Sequence, residues 1–161
     1  MRPLSRQGNG MLTLAIDPGL STGAAWFREE ELIDQFTLYR GVDGFLEWWQ
    51  APRRWHGTPD IVIYEDFIFD GTATGRGWSS EIIGAIKALD WDGAEIVSQL
   101  RSDKATLFGQ KHKGDAGERE RFAWLAERGF SGTPHELDAI SHTLVYMKRQ
   151  RSPEALRRYW G

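Results

Sequence analysis

The sequence contains no cysteine. That absence removes disulfide cross-links, thiolate metal sites and cysteine nucleophiles together. No apolar run approaches the roughly 20 residues a membrane-spanning helix needs. The first ten residues, with Pro3, Gly8 and Gly10, are polar and lack the apolar core of a signal peptide, so a soluble, cytoplasmic protein without membrane contact is expected. Positive charge is not in excess either: 20 Lys and Arg stand against 23 Asp and Glu, a formal net charge of −3. Coating of a polyanion by bulk positive charge is thereby disfavoured, whereas a local basic surface is not. Lys148, Arg149, Arg151, Arg157 and Arg158 crowd the C-terminus against one acid, Glu154. They read either as such a surface or as a solvated helix end complementing its dipole.

What the sequence does hold is one globular domain's worth of chain. Its 161 residues leave little room for a second domain, and 40% apolar residues support a packed core. Eight tryptophans are many for this length and are expected mostly in that core. There is no repeat and no low-complexity linker. A flexible segment over 1–10, a single domain over 11–150 and a basic tail over 151–161 are expected.

Met11 to Asp17 is a mostly apolar run ending in an acid, and a Pro18-Gly19 turn leads to a partner strand over Gly23 to Phe27. Glu31 to Leu38 alternates as a third strand. Val42 to Gln50 predicts a short helix burying Phe45, Leu46 and Trp49. Asp60 to Glu65 is a buried strand that also ends in an acid, followed by the glycine-rich stretch Asp70 to Gly77. Ile82, Ile86 and Leu89 mark one face of a helix, and Ala94 to Gln99 predicts a fifth strand. Ser102 to Phe108 predicts a short helix, Gly109 to Gly117 a basic loop, and Glu118 to Arg128 a charged amphipathic helix. The last helix opens at Thr133 and runs to about Gln150. Strands followed by alternating helices and strands indicate an α/β domain with a mixed five-stranded sheet flanked by helices.

Two separate strands ending in a carboxylate, Asp17 and Glu65, matter only if a third polar element meets them, because turns favour Asp anyway. The last helix supplies one. Thr133-Pro134-His135-Glu136 is a helix start, with Thr as N-cap, Pro at the first position and Glu136 as the capping acid, catalysis being the alternative for that glutamate. His135 and Asp138, three apart, share a face with His142, turned away from Leu137, Ile140, Leu144 and Met147. Such a polar face is either solvated or part of a site. Zinc hydrolysis through His-Glu-x-x-His is excluded, since residue 139 is Ala.

Ile16-Asp17-Pro18-Gly19 with Ser21-Thr22-Gly23, then Ile63-Tyr64-Glu65, then His135-Glu-Leu-Asp138-Ala139 together resemble the RuvC family of Holliday junction resolvases, in order and spacing, from Met11 to about Lys148. The resemblance implies an RNase H-like nuclease fold. It implies a structure-selective endodeoxyribonuclease that resolves four-way junctions by a two-metal-ion mechanism, active in DNA recombination and repair. By the same resemblance Asp17, Glu65, His135 and Asp138 form the metal-binding, catalytic set, His135 replacing a carboxylate as ligand or orienting the attacking water. Three gathered carboxylates repel, and two divalent ions would neutralise them, activate water and stabilise the leaving oxygen. Oxygen ligands favour Mg²⁺, with Mn²⁺ also supporting activity.

The family further carries an aromatic loop that probes the junction centre, then a helix that makes a homodimer. Phe67, Phe69 and Arg76 occupy that loop here, as DNA contacts or, for the two phenylalanines, as core. Lys104 and Lys113 stand where the family places lysines near the scissile phosphate, with Arg119 competing for the second role. Arg157 and Arg158 are expected to add DNA contacts, and the helix bearing Ile82, Ile86 and Leu89 is expected to join the dimer interface. Three alternatives remain open at this point. One is a flap or branched-DNA nuclease of the same fold. Another is an actin-like ATPase, whose first phosphate loop Asp17 to Gly23 resembles but which needs two lobes. The third is a non-catalytic DNA-binding relative. The sequence identifies no helicase partner.

Overall fold

A computed structural model describes residues 10–51, 55–66 and 77–161. Expected contacts Phe67, Phe69 and Arg76, and the segment 1–9, lie outside the described residues. Five strands are observed: β1 (Leu12–Asp17), β2 (Thr22–Arg28), β3 (Glu31–Leu38), β4 (Ile61–Asp66) and β5 (Glu95–Leu100). They form one mixed sheet in the order β3-β2-β1-β4-β5. The β1–β2–β3 meander is antiparallel, whereas β4 and β5 run parallel to β1. Parallel neighbours need crossover connections, which the helices provide. These are α1 (Gly41–Trp49), α2 (Gly77–Ala88), α3 (Gly114–Glu127), α4 (Pro134–Arg149) and α5 (Pro153–Trp160), with a 3-10 helix at Arg101–Thr106. The α/β, RNase H-like architecture expected from the sequence is the one observed.

Alternation along the central strands sorts their side chains onto two cores. Ala15, Ala25, Phe27 and Ile63 face one side with Leu125, Ile140 and Leu144 from α3 and α4. Leu14, Ile16, Trp26, Val62 and Tyr64 face the other with Phe45, Ile82 and Ile86 from α1 and α2. Each fully enclosed Leu, Ile, Val or Phe among them contributes about 1.5–3 kcal/mol.

Four expectations are corrected. In α1 the indole that is buried is Trp48, while Leu46 and Trp49 are half-buried, because the helix turns its Phe45–Trp48 edge inward. The helix expected from Glu118 begins at Gly114, so the basic loop is shorter. Ile82 and Ile86 are fully enclosed within the chain's own core, so they are not available to an interface between copies. Residues 151–161 are no tail: Ser152 caps α5, Ala155 and Tyr159 are buried, and the Trp160 indole donates to the Leu107 carbonyl.

Candidate active site

The parallel register pairs Ile16 with Tyr64 and Glu65 with Gln99. Asp17 and Glu65 follow that first pair on adjacent strands, so with Gln99 they form a row at the carboxyl ends of β1, β4 and β5. Two residues behind them lie Ala15, Ile63 and Val97, all packed on the α4 side. The row therefore faces α4 as well.

Gly23 on β2, the register partner of Asp17, allows α4 to close over this row. A Cβ there would lie 2.0 Å from the His135 carbonyl oxygen, so only glycine admits the first turn of α4. Thr133 caps that turn, its hydroxyl accepting the Glu136 N–H at 3.2 Å, with Pro134 at the first position. Glu136 is structural: its carboxylate accepts from Thr37 at 2.6 Å, Thr133 at 2.8 Å and Gln35 at 2.9 Å, tying α4 to β3. Burial opposes ionisation of Glu136, but those hydrogen bonds prevail and hold its carboxyl below the usual range.

With α4 so placed, His135 Nδ1 stands 3.2 Å from Asp17 Oδ2. One turn on, Asp138 receives Arg121 Nη2 on Oδ1 at 2.8 Å and Lys104 Nζ on Oδ2 at 3.0 Å. Lys104 also reaches Glu65 Oε2 at 2.8 Å and is only 3% exposed. Another turn on, the His142 ring lies 2.8 Å from Glu65 Oε2 through Nε2 and 2.7 Å from Gln99 Oε1 through Nδ1. The turn carrying Lys104 is itself pinned. Asp103 accepts from the Leu100 N–H and from Arg149, and the Lys148 ammonium donates to the Thr106 and Leu107 carbonyls.

The acids feel this setting differently. Burial pushes the Asp17 carboxyl up, the His135 hydrogen bond opposes, and the neighbouring Glu65 and Asp138 add to the rise. Burial would raise Glu65 too, but the bonds from His142 and Lys104 outweigh it and hold the group at about 2. The Asp17 hydrogen bond raises the His135 imidazole above its ordinary value.

Among the described residues no three His, Asp or Glu side chains converge tightly enough to ligate one ion as they stand. Lys104 and Arg121 take both oxygens of Asp138, while among the described residues the bonds of Asp17 and Glu65 fall on one oxygen each. The donor chemistry nevertheless fits a hard divalent cation. Asp17 and Glu65 are acidic neighbours on adjacent strands, each with an oxygen outside those bonds, and Asp17 is destabilised by the charges beside it.

Of the expected residues, Asp17, Glu65, His135, Asp138 and Lys104 are brought together. Lys113 is exposed at the start of α3 and lines, with Arg101, Lys104, Gln110 and Arg121, a cleft of about 640 Å³. Arg119 is exposed and does not line it. Two residues further along α3, Arg121 is the one turned inward, half a helical revolution away. Arg157 and Arg158 are exposed on α5, whose Tyr159 reaches the Glu30 carbonyl in the β2–β3 turn, at the opposite end of the sheet from Asp17. Arg121, Gln99 and the hydrogen bond of His142 to Glu65 are what sequence reading missed. The one available signal was that His142 continues the His135–Asp138 stripe.

No family model matches the sequence, and no curated protein matches it. Solved structures do share the fold. Thermus thermophilus RuvC in complex with Holliday junction substrate is similar with a TM-score of 0.65 at 15% identity, over 89% of this chain and 96% of that one. A second Thermus thermophilus RuvC structure gives 0.56 at 16%, over 88% and 98%. The Fowlpox virus resolvase, in complex with Holliday junction DNA, gives 0.59 at 14%, over 85% and 99%. At these identities the likeness is one of fold.

Proposed function

We propose that this chain is a RuvC-type, metal-dependent endodeoxyribonuclease that resolves four-way DNA junctions by hydrolysing phosphodiester bonds. The observation that carries the reading is the meeting of Asp17, Glu65, His135 and Asp138, from two parallel strands and one helix, at the carboxyl end of the sheet. The shared fold with two junction-bound resolvases supports the substrate class.

Asp17 and Glu65, with Asp138 and His135, would hold Mg²⁺ or Mn²⁺, two ions in the full site. Bound there, the ions supply a water activated for attack and a counter-charge for the leaving oxygen. The protein's own contribution is positioning and charge. Lys104 and Arg121 stand between the acids and the cleft, so a strand in that cleft meets cations that steady its phosphates. His135, at the rim and 46% exposed in its side chain, is placed to orient water or to ligate.

Symmetric cutting of a four-way junction requires two such sites, hence a homodimer. Ile82 and Ile86 are enclosed in the chain's own core, so an interface on α2 would use the helix's other residues. A nuclease of the same fold acting on flaps and other branches as a monomer is the second reading. Labelled four-way junction, flap and linear duplex, each incubated with Mg²⁺, Mn²⁺ or EDTA, separate the readings. Preferential, paired nicking of the junction with either metal supports the proposal. Equal cutting of flap and junction supports the second reading, and no metal-dependent cutting of any substrate overturns both.

A further inference from the structure

His142 has no exposed surface, yet it is a polar ring in the middle of α4. An apolar side chain of that size would fill the same space without the roughly 1–3 kcal/mol that an unpaired buried polar group costs. Both ring nitrogens are matched, and their partners are register neighbours on adjacent strands: Glu65 on β4 and Gln99 on β5. Gln99 is itself only 3% exposed. The ring is therefore wedged between two strand ends and a helix, with no room to rotate.

Its effect on Glu65 is specific. Nε2 meets Oε2, the same oxygen that Lys104 approaches, and among the described residues no bond falls on Oε1. One oxygen is anchored and the other is left outside these bonds. Carboxylates that ligate metals are held in this way by groups behind them, and losing such a group typically weakens metal affinity about 10–100-fold.

We propose that His142, backed by Gln99, is a positioning residue that fixes the Glu65 carboxylate with its free oxygen directed at the metal. This rests on the metal-dependent reading given above. His142 touches neither substrate nor metal; it acts through Glu65. Gln99 acts one step further back, fixing the ring.

The test compares two substitutions of similar length. His142→Gln keeps an N–H donor close to the position of Nε2, whereas His142→Met fills the space without one. Mn²⁺ binding is measured by electron paramagnetic resonance on DNA-free protein, with thermal melting in EDTA alongside. The expected result is affinity about 10–100-fold weaker in His142→Met and close to wild type in His142→Gln. A purely structural role would lower both melting temperatures and leave Mn²⁺ affinity unmoved, and that result overturns the proposal. Should His142→Met fail to fold, Gln99→Met carries the test: weaker Mn²⁺ binding supports it and unchanged binding overturns it. Wild-type protein that neither binds Mn²⁺ nor cuts any branched DNA refutes the nuclease reading, whereas wild-type binding equalled by the methionine variant refutes the role of His142 alone.

Discussion

The carboxylate of Asp17 is almost wholly enclosed at the end of β1, beside two other acids. Its folded pKa lies above the ordinary 3.8, so the proton is bound more tightly in the folded state. The ionised group therefore opposes folding at every pH above that value. In EDTA at neutral pH, Asp17→Asn should melt higher than wild type, each kcal/mol gained being worth roughly 2–4 °C at this size. Glu65 runs the other way. Held at about 2 against an ordinary 4.5, it contributes stability in full above 4.5 and loses it as pH falls toward about 2, a difference worth roughly 3 kcal/mol. Melting curves from pH 5 to 2 should therefore fall steeply for wild type and more shallowly for Glu65→Gln; parallel curves would contradict the assignment. Asp17, Glu65 and Asp138 were legible in the sequence through the order and spacing of three motifs that resemble the RuvC family, since an acid closing a strand or standing opposite a helix's apolar stripe is ordinary by itself. Arg121 and Gln99 break no pattern. Each sits where a polar residue on an amphipathic helix or at a strand end is ordinary, and only the packing of α3 and β5 against α4 turns them inward.

At the scale of elements, the seat of α4 on β2 decides whether the acids meet. The Cβ of Gly23→Ala would fall against the His135 and Glu136 backbone, which cannot swing aside as a side-chain end would. Overpacking of this kind costs about 1–3 kcal/mol, and displacing the first turn of α4 moves His135 from Asp17. Gly23→Ala should therefore lose thermal stability and, at temperatures where it stays folded, most of its cleavage; wild-type behaviour in both would show that α4 is seated otherwise. The strands and α4 were readable because their signals are local: alternation, a Thr-Pro start and a glycine turn. The start of α3 was hidden by Gly114 and Gly117, poor helix formers, the second being required where a Cβ would meet the His112 carbonyl. In α5 the helical signal, a Ser152-Pro153 start and two pairs four residues apart, Ala155–Tyr159 and Leu156–Trp160, is short and set amid basic residues that read as solvated tail.

Across the whole molecule, charge is segregated in a way the net value of −3 conceals. Arg101, Lys104, Lys113 and Arg121 outnumber Asp66 and Glu118 in the lining of the cleft, whereas Arg157 and Arg158 lie at the opposite end of the sheet. Each phosphate neutralised by a cation releases counterions and adds nearly one to the slope of log affinity against log salt. Lys113→Ala should therefore weaken junction binding and lower that slope by about one, while the double change of Arg157 and Arg158 to Ala should leave it unaltered. The reverse pattern would place DNA on α5 and contradict the cleft. The basic C-terminus was visible in the sequence, but its distance from Asp17 was not, since only the length and direction of α4 carry it there.

The central claim, that Asp17 and its neighbours form a metal-dependent nuclease site, is tested most directly by single-turnover cleavage of a labelled four-way junction by wild type and Asp17→Asn. Protein is held above the dissociation constant, with Mg²⁺ or EDTA. Wild type should cut only with Mg²⁺, and Asp17→Asn should bind the junction without cutting it. Cleavage by Asp17→Asn at the wild-type rate, or cleavage by wild type in EDTA, would contradict that claim.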